Sequence, residues 1–346
     1  MLSYRHAFHA GNHADVFKHT LLVMLLERFN AKETPYTVID THAGSARYDL
    51  NDERAQKTLD AQSGILKLLE TARYVEAQSP DREQPAPQSS AISRDDLQSA
   101  RKSSESVLRE LLLSECRSDF IDFQKYLRFA KACLDAGFYP GSPEIERAFM
   151  RAKDCLILSE LHPDEIGALQ RNMRLNAAAT ENAPAVHIHH RDGFEALRAL
   201  TPPKTKRGIV FCDPSYEDTS DWEKAANALI ETHKRWASAT LALWYPLVAV
   251  KKIERDAMKQ KIIAEIKGGK TERGILDALL CVNTENSHRE SALKDVKRSE
   301  PPRLYGSGML VVNPPWKLDE KLDVVLPRLA DALGSGGAGS YKINNY

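Results

Sequence analysis

The sequence contains no CxxC pair, and its five cysteines (116, 133, 155, 212 and 281) are odd in number and widely scattered. Neither a disulfide framework nor a zinc ribbon is written there. There is no long hydrophobic run: the longest apolar stretch, Leu241 to Val250, is ten residues and contains a proline. A membrane span needs about 20 residues, so none is expected. Met1 is followed at once by Ser3, Tyr4, Arg5 and His6 with no apolar leader, which argues against secretion and for a cytoplasmic home. Net charge is also missing, since 48 basic residues balance 48 acidic ones. That excludes a histone-like, tail-driven nucleic-acid binder and leaves room for a local basic groove. At 42% hydrophobic and 28% charged, the 346-residue chain can bury a real core. Its length suits two domains, or one large α/β domain carrying an insertion.

What is present is an alternation of strands and helices. Val16, Phe17, Leu21, Met24 and Leu25 recur at helical steps between Asn12 and Lys32, with Asn12 as cap and Asp15 in the first turn. Tyr36–Asp40 reads as a buried strand, and Thr41–Ala46 as a tight loop at its carboxyl end. Residues 48–139 read as an insertion. In it Leu59–Val75, Val107–Leu113 and Phe120–Leu134 have helical spacing and Gly137 serves as a C-cap. Residues 78–106 form a polar, flexible stretch unable to offset its own ordering cost. Ser142 and Pro143 open a helix as cap and first residue. Strands follow at Cys155–Glu160, Val186–His190, Gly208–Cys212, Thr240–Tyr245, Ile262–Ile266 and Gly308–Val312. Helices intervene at Ile166–Leu175, after Gly193 to Leu200, Trp222–Trp236 and Val250–Gln260. Residues 268–303 read as a second polar excursion, and the glycine-rich tail from Gly334 as frayed. Strands separated by helices imply a mostly parallel sheet covered on both faces.

Ligands of such sheets sit beyond the carboxyl ends of the strands. Four of those ends carry suggestive groups: Asp40 with the Gly44 loop, Glu160, Asp192–Gly193, and Asp213–Tyr216. The first loop is not GxGxxG, and no P-loop lysine or second glycine cradle accompanies it. A carboxylate at Glu160 can accept both hydroxyls of a ribose, and Asp192 can accept from an adenine amino group. A nucleoside without phosphates therefore fits better than one with a pyrophosphate, and S-adenosylmethionine is such a ligand. Asp213-Pro214-Ser215-Tyr216 resembles the (Asp/Asn/Ser)-Pro-Pro-aromatic tetrapeptide of amino-group methyltransferases. The Asp213 carboxylate and the Pro214 carbonyl can accept the two hydrogens of an exocyclic amine and aim its lone pair at a methyl donor, while Tyr216 stacks on the base. A base within a helix must be flipped out or already unpaired to reach such a site. Catalysis is then mainly positioning and requires no metal. Asn313-Pro314-Pro315-Trp316 matches the tetrapeptide better, but it follows the last strand, which in methyltransferase sheets runs antiparallel. It is expected to be a structural turn with Trp316 packed.

Taken together, these residues resemble the bacterial 23S ribosomal RNA (adenine-N6)-methyltransferase J family. The segment MLSYRHAFHAGNHADVFKH (1–19) is nearly a whole family signature. DTHAGSARY (40–48), YPGSP (139–143), SELHP (159–163), RDGF (191–194), DPSYE (213–217), LWYP (243–246) and SGMLVVNPPWKL (307–318) follow in family order. The resemblance implies a Rossmann-like class I S-adenosylmethionine-dependent methyltransferase with a small helical subdomain inserted after the first strand. Its domain would run through 1–47 and 140–333, with 48–139 inserted and 334–346 a flexible tail. It implies cofactor contacts at Lys18, His19, His42, Ser142, Glu160, Asp192 and Gly193, catalysis at Asp213 and Pro214 with Tyr216 at the base, and Tyr4 on the substrate side. The implied partner is 23S ribosomal RNA, with no membrane and no metal, and the implied state a monomer. Two residues depart from the pattern. Ser215 replaces the second proline, a loss of backbone rigidity of roughly 0.4–1 kcal/mol, and Ala46 stands where methyltransferases commonly have glycine.

Three alternatives remain open: DNA as substrate, another RNA, or a non-catalytic RNA-binding protein of the same fold. His9 and His13 have the spacing of a helical metal pair, but no third ligand accompanies them. Local hydrogen bonding of His6, His9 and His13 is the expected outcome, beside a partly basic rim of Tyr4, Arg5 and Lys18 that helps hold RNA.

Overall fold

The computed structural model describes residues 4–70, 120–174, 183–267, 274–286 and 304–346. The first helix, α1 (His13–Asn30), is capped by Asn12, whose side chain accepts the Asp15 N–H. Apolar residues occupy most of its circumference rather than one stripe, and it is buried almost from end to end, as such helices are. It leads through Pro35 into β1 (Thr37–Asp40). The loop after β1 ends in β2 (Arg47–Tyr48), which pairs with the later β3 (Tyr139–Pro140) as a two-stranded ribbon. Short helices α2 (Glu53–Thr58) and α3 (Asp60–Ser63) meet at a left-handed Leu59, and residues 65–70 are again helical. The continuous helix expected from Leu59 is thus broken, and its part beyond residue 70, like the expected helix 107–113 and the polar stretch 78–106, lies outside the described residues. Helix α4 (Ile121–Asp135) packs on α1.

After β3 comes α5 (Ser142–Phe149), whose cap is Gly141, not Ser142; the Ser142 hydroxyl is used elsewhere. Then follow β4 (Cys155–Glu160), α6 (Pro163–Arg174), β5 (Ala185–His190), α7 (Gly193–Leu200), β6 (Gly208–Cys212), α8 (Ser220–Arg235) and β7 (Thr240–Leu247). Helix α9 (Lys252–Lys267) runs through the residues read as a strand at Ile262–Ile266. Its buried positions, Arg255, Met258, Ile262 and Ile266, step by three and four, which is a helix period. The strand is instead β8 (Ile275–Cys281), inside the supposed second excursion. The last elements are β9 (Gly306–Val312), α10 (Leu318–Leu333) and β10 (Ser340–Asn345). The tail is therefore not frayed: β10 pairs antiparallel along the whole of β8.

The main sheet has the order β10-β8-β9-β7-β6-β1-β4-β5. Strands β5, β4, β1, β6 and β7 are mutually parallel, whereas β9 runs antiparallel to both β7 and β8. This is a mixed α/β architecture with a large, mostly parallel central sheet. Chain order reverses between β1 and β6, which lie side by side with Asp40 opposite Phe211. A crevice opens at such a switch point, beyond the carboxyl ends of the strands.

Candidate active site

The crevice is a cavity of about 1350 Å³ that brings together all the residues implied for the site: Tyr4, Lys18 and His19 from the N-terminal segment, His42, Ser142, Glu160, Asp192 and Gly193, and Asp213, Pro214 and Tyr216. One wall is the loop after β1. Asp40 is fully buried; one carboxylate oxygen accepts the His42 N–H at 3.0 Å and the other the Ser142 hydroxyl at 2.7 Å. Burial pushes its pKa up to about 7 against those two hydrogen bonds, helped by the nearby Asp213 charge. Glu160, at the end of β4, accepts Gly44 N–H at 2.8 Å and His162 N–H at 2.7 Å. The Ser45 N–H is held by the Tyr48 hydroxyl at 3.1 Å and the Ser45 carbonyl by the Asn172 amide at 2.8 Å. Two loop residues sit at positive φ, Gly44 at 58° and Ala46 at 66°. The second is the conformation that makes glycine usual there. At the end of β5, Asp192 caps α7, with one oxygen accepting from Phe194 and Glu195. Gly193 touches the first loop so closely that a Cβ would lie 2.2 Å from the Thr41 carbonyl oxygen, so no side chain fits.

The opposite wall is a chain of polar contacts reaching Asp213. The Tyr4 hydroxyl and His6 Nδ1 lie 2.9 Å apart, and His6 Nε2 lies 3.0 Å from Asp15. Asp15 also accepts the Gly11 N–H at 2.7 Å. Lys18 Nζ bridges Asp15 at 2.8 Å and Asp213 Oδ2 at 2.5 Å. Burial alone would depress the Lys18 pKa, but the two carboxylates more than reverse it. Burial works against the Asp15 anion as well, yet His6 and Lys18 hold it well below its ordinary range. His19 is 1% exposed, with Nδ1 3.0 Å from the Tyr139 hydroxyl, and burial brings its pKa down to about 3.

Several expectations need correction here. Lys18 and Arg5 do not form a free basic rim: Lys18 is enclosed by Asp15 and Asp213, and Arg5 pairs with Asp164. Lys18 therefore meets the Asp213 end of the cavity directly. Tyr216 is 8% exposed, its hydroxyl donates to the Trp244 carbonyl at 2.9 Å, and its ring centroid lies 4.2 Å from that of Trp222. That anchorage steadies the tetrapeptide in which Ser215 replaces proline. Asn313 is the structural turn expected. It has φ 52°, and its amide donates to the Ala237 and Ala239 carbonyls at 2.7 and 2.8 Å. It lies at the amino ends of the parallel strands, the end of the sheet opposite Asp213, because Val312 pairs with Leu241 at the start of β7. Trp316, expected to be packed, is instead 73% exposed. His6 bonds within the N-terminal segment as expected, to Tyr4 and Asp15, whereas His9 reaches Asp60, 51 positions on, at 2.8 Å. No group of three His, Cys, Asp or Glu side chains placed to hold a metal ion occurs among the described residues. Asp15, Trp222 and Trp244 were not legible as site residues. The one available signal was Asp15 and Lys18, three residues apart in the first turns of a helix whose middle, Leu21 to Leu26, is wholly apolar.

Comparison with known proteins supplies the last observation. Residues 33–78 and 114–345 match the family described as "Ribosomal RNA large subunit methyltransferase D, RlmJ". A curated Escherichia coli protein named ribosomal RNA large subunit methyltransferase J is 31% identical over 342 residues, covering 98% of this chain and 96% of that one. Its namesake in Haemophilus influenzae is 30% identical over 349 residues, covering 99% and 98%. A Legionella pneumophila protein known from its crystal structure superposes with a TM-score of 0.69 at 24% identity, covering 97% of this chain and 98% of its own, which shows a shared fold.

Proposed function

The chain belongs to the ribosomal RNA large subunit methyltransferase J family, and from that premise we propose that it transfers a methyl group from S-adenosylmethionine to the N6 amine of an adenine in 23S ribosomal RNA. The observation that carries this reading is the convergence of Asp213-Pro214 and the Thr41–Gly44 loop on one cavity at the sheet's switch point. Residues present suit the cofactor. Glu160 retains lone pairs for two ribose hydroxyls and Asp192 has a second oxygen for an adenine amine, while Gly193 lets α7 pack directly on the first loop. His42, Ser142, Lys18 and His19 complete that lining. S-adenosylmethionine supplies an electrophilic methyl group.

The protein's own task is positioning, which needs no metal. Lys18 occupies Asp213 Oδ2, leaving Oδ1 and the Pro214 carbonyl to accept the two amine hydrogens. The nitrogen lone pair then points to the donor side of the cavity. Asp213 Oδ1 is also the group at hand for the proton the nitrogen sheds as it is methylated. Tyr216 faces the base, and Tyr4, at the head of the chain through His6 and Asp15, borders the substrate side. We read residues 48–139 as a helical insertion in a Rossmann-like class I methyltransferase domain that acts as a cytoplasmic monomer. No described helix is long and apolar enough to cross a membrane.

The test pairs calorimetry with product analysis. The protein should bind S-adenosylmethionine and leave N6-methyladenosine in digests of unmodified large-subunit RNA and none in adenine-containing DNA. Methylated DNA would favour the DNA reading, and absence of cofactor binding would favour a non-catalytic RNA binder.

A further inference from the structure

Lys18 stands between two carboxylates, and the two have different roles. Its Nζ lies 2.5 Å from Asp213 Oδ2 and 2.8 Å from Asp15 Oδ1. Lys18 and Asp15 are both buried. Asp15 divides its oxygens. Oδ2 serves the local fold: it accepts the Gly11 N–H at 2.7 Å and lies 3.0 Å from His6 Nε2. Oδ1 accepts no hydrogen bond among the described residues, and what it meets is the Lys18 ammonium. The chemistry of the Lys18–Asp213 pair shows what that second charge is for. A lysine and an aspartate alone in a buried site can discharge each other. One proton passes from Nζ to Oδ2, leaving an amine and a carboxylic acid. As an acid, Asp213 would be a poor acceptor for the hydrogens of a substrate amine. With Asp15 beside it, the transfer is unfavourable, because a neutral lysine would leave Asp15 a buried anion without its cation. Two partners also fix the ammonium, a compact charge on a flexible four-carbon stem.

We propose that Asp15 is a positioning residue for methyl transfer: acting through Lys18, it keeps Asp213 an anion with Oδ1 free for the substrate amine. The inference rests on the reading of the site as an adenine-N6 methyltransferase and adds to it the group that sets the charge of its acceptor. Other titratable groups surround the pair. They are Tyr4 and His6 from the N-terminal segment, His19 on α1 itself, Asp40 at the end of β1, and Tyr48, Tyr126 and Tyr139 from β2, α4 and β3. Burial holds the four tyrosines above their ordinary range and His19 down at about 3, and it lifts Asp40 to about 7. An alkaline window above pH 8 therefore isolates Lys18 from them.

The experiment measures single-turnover methyl transfer to unmodified large-subunit RNA by wild type, Asp15→Asn, Lys18→Gln and the double variant, at about pH 8 and about pH 9.5. S-adenosylmethionine binding is measured for each. Asparagine keeps an acceptor for the Gly11 N–H, so the start of α1 stays tied down. Asp15→Asn should transfer methyl at least about tenfold more slowly at the lower pH, with cofactor binding retained. Its rate should fall about fivefold further at the higher pH, as Lys18, left with one carboxylate, gives up its proton, while wild type stays flat. Because Asp15 acts through Lys18, its substitution should slow the Lys18→Gln protein no further. If Asp15→Asn fails to fold, Asp15→Ser, whose hydroxyl can also accept the Gly11 N–H, gives the same three readouts. A wild-type rate in the folded variant would overturn the proposal, as would a flat pH profile or losses that multiply in the double variant. A wild type that binds S-adenosylmethionine but is inert on the RNA would overturn the underlying reading along with it.

Discussion

Asp213 and Asn313 head two tetrapeptides of nearly the same composition, and their side chains have opposite fates. The Asp213 carboxylate keeps one oxygen open to the cavity, whereas the Asn313 amide is spent on two carbonyls of its own turn. Trp316, on the Asn313 turn, is exposed, so Trp316→Ala should leave the unfolding free energy within about 0.5 kcal/mol of wild type. His19 offers a sharper test by pH. Its folded pKa of about 3 lies below the ordinary 6.5, so the unfolded chain takes up a proton that the folded one refuses. The associated stability is full above pH 6.5 and is lost as pH falls toward 3. Between pH 7 and pH 5 the wild type should lose about 2 kcal/mol more than His19→Gln, read from urea unfolding at the two pH values. Glu146 works in the other direction. Both its carboxylate oxygens are buried without a hydrogen-bond partner among the described residues, and burial, with Asp40 nearby, raises its pKa well above the usual value. Folded protein then holds a proton that the unfolded chain releases above about pH 4.5, so stability falls as pH rises. Glu146→Gln should lose less stability between pH 6 and pH 9 than wild type does, in the same assay.

At the scale of elements, legibility followed burial pattern. Strands β1, β4, β6, β7 and β9 were readable as short, largely apolar runs, and β5 because Val186 and Ile188 alternate with histidines. Strand β8 was not, because polar residues surround it and Asp277 sits in its middle. That aspartate is fully buried, paired with Lys259 at 2.6 Å and bonded by the Tyr245 hydroxyl at 2.5 Å, contacts that no local pattern announces. Conversely, Ile262–Ile266 looks like a strand over five residues and shows its helical period only when followed back to Arg255. Strand β10 is mostly exposed and owes its place to pairing with β8. Truncation after Gly339 should lower the melting temperature by about 5 °C. It should also promote association through the bared β8 edge, visible by light scattering, while methyl transfer persists. Melting and activity unchanged together would mean that β10 contributes nothing to the sheet.

Across the whole molecule, the reversal of strand order between β1 and β6 explains how residues far apart in the chain form one site. Lys18 and Asp213 are separated by 195 positions yet meet at 2.5 Å, because α1 runs beside the sheet and ends its first turns over the crevice. Which residues would gather there was readable from the strand ends and the family motifs. How they bond was not: the pairing of Lys18 with Asp15 as well as Asp213 depends on the packing of α1 against the sheet, and the gathering of Trp222 and Trp244 around Tyr216 on the meeting of α8 and β7. The most direct test of the account follows labelled methyl transfer from S-adenosylmethionine to unmodified large-subunit ribosomal RNA by wild type, Asp213→Ala and Asn313→Ala, with cofactor binding measured for each. A catalytic Asp213 predicts incorporation by wild type, a loss of at least roughly a hundredfold in Asp213→Ala with cofactor binding retained, and near-normal turnover per folded molecule in Asn313→Ala. Turnover that survives in Asp213→Ala and vanishes in a folded Asn313→Ala would place the chemistry at the other end of the sheet and contradict it.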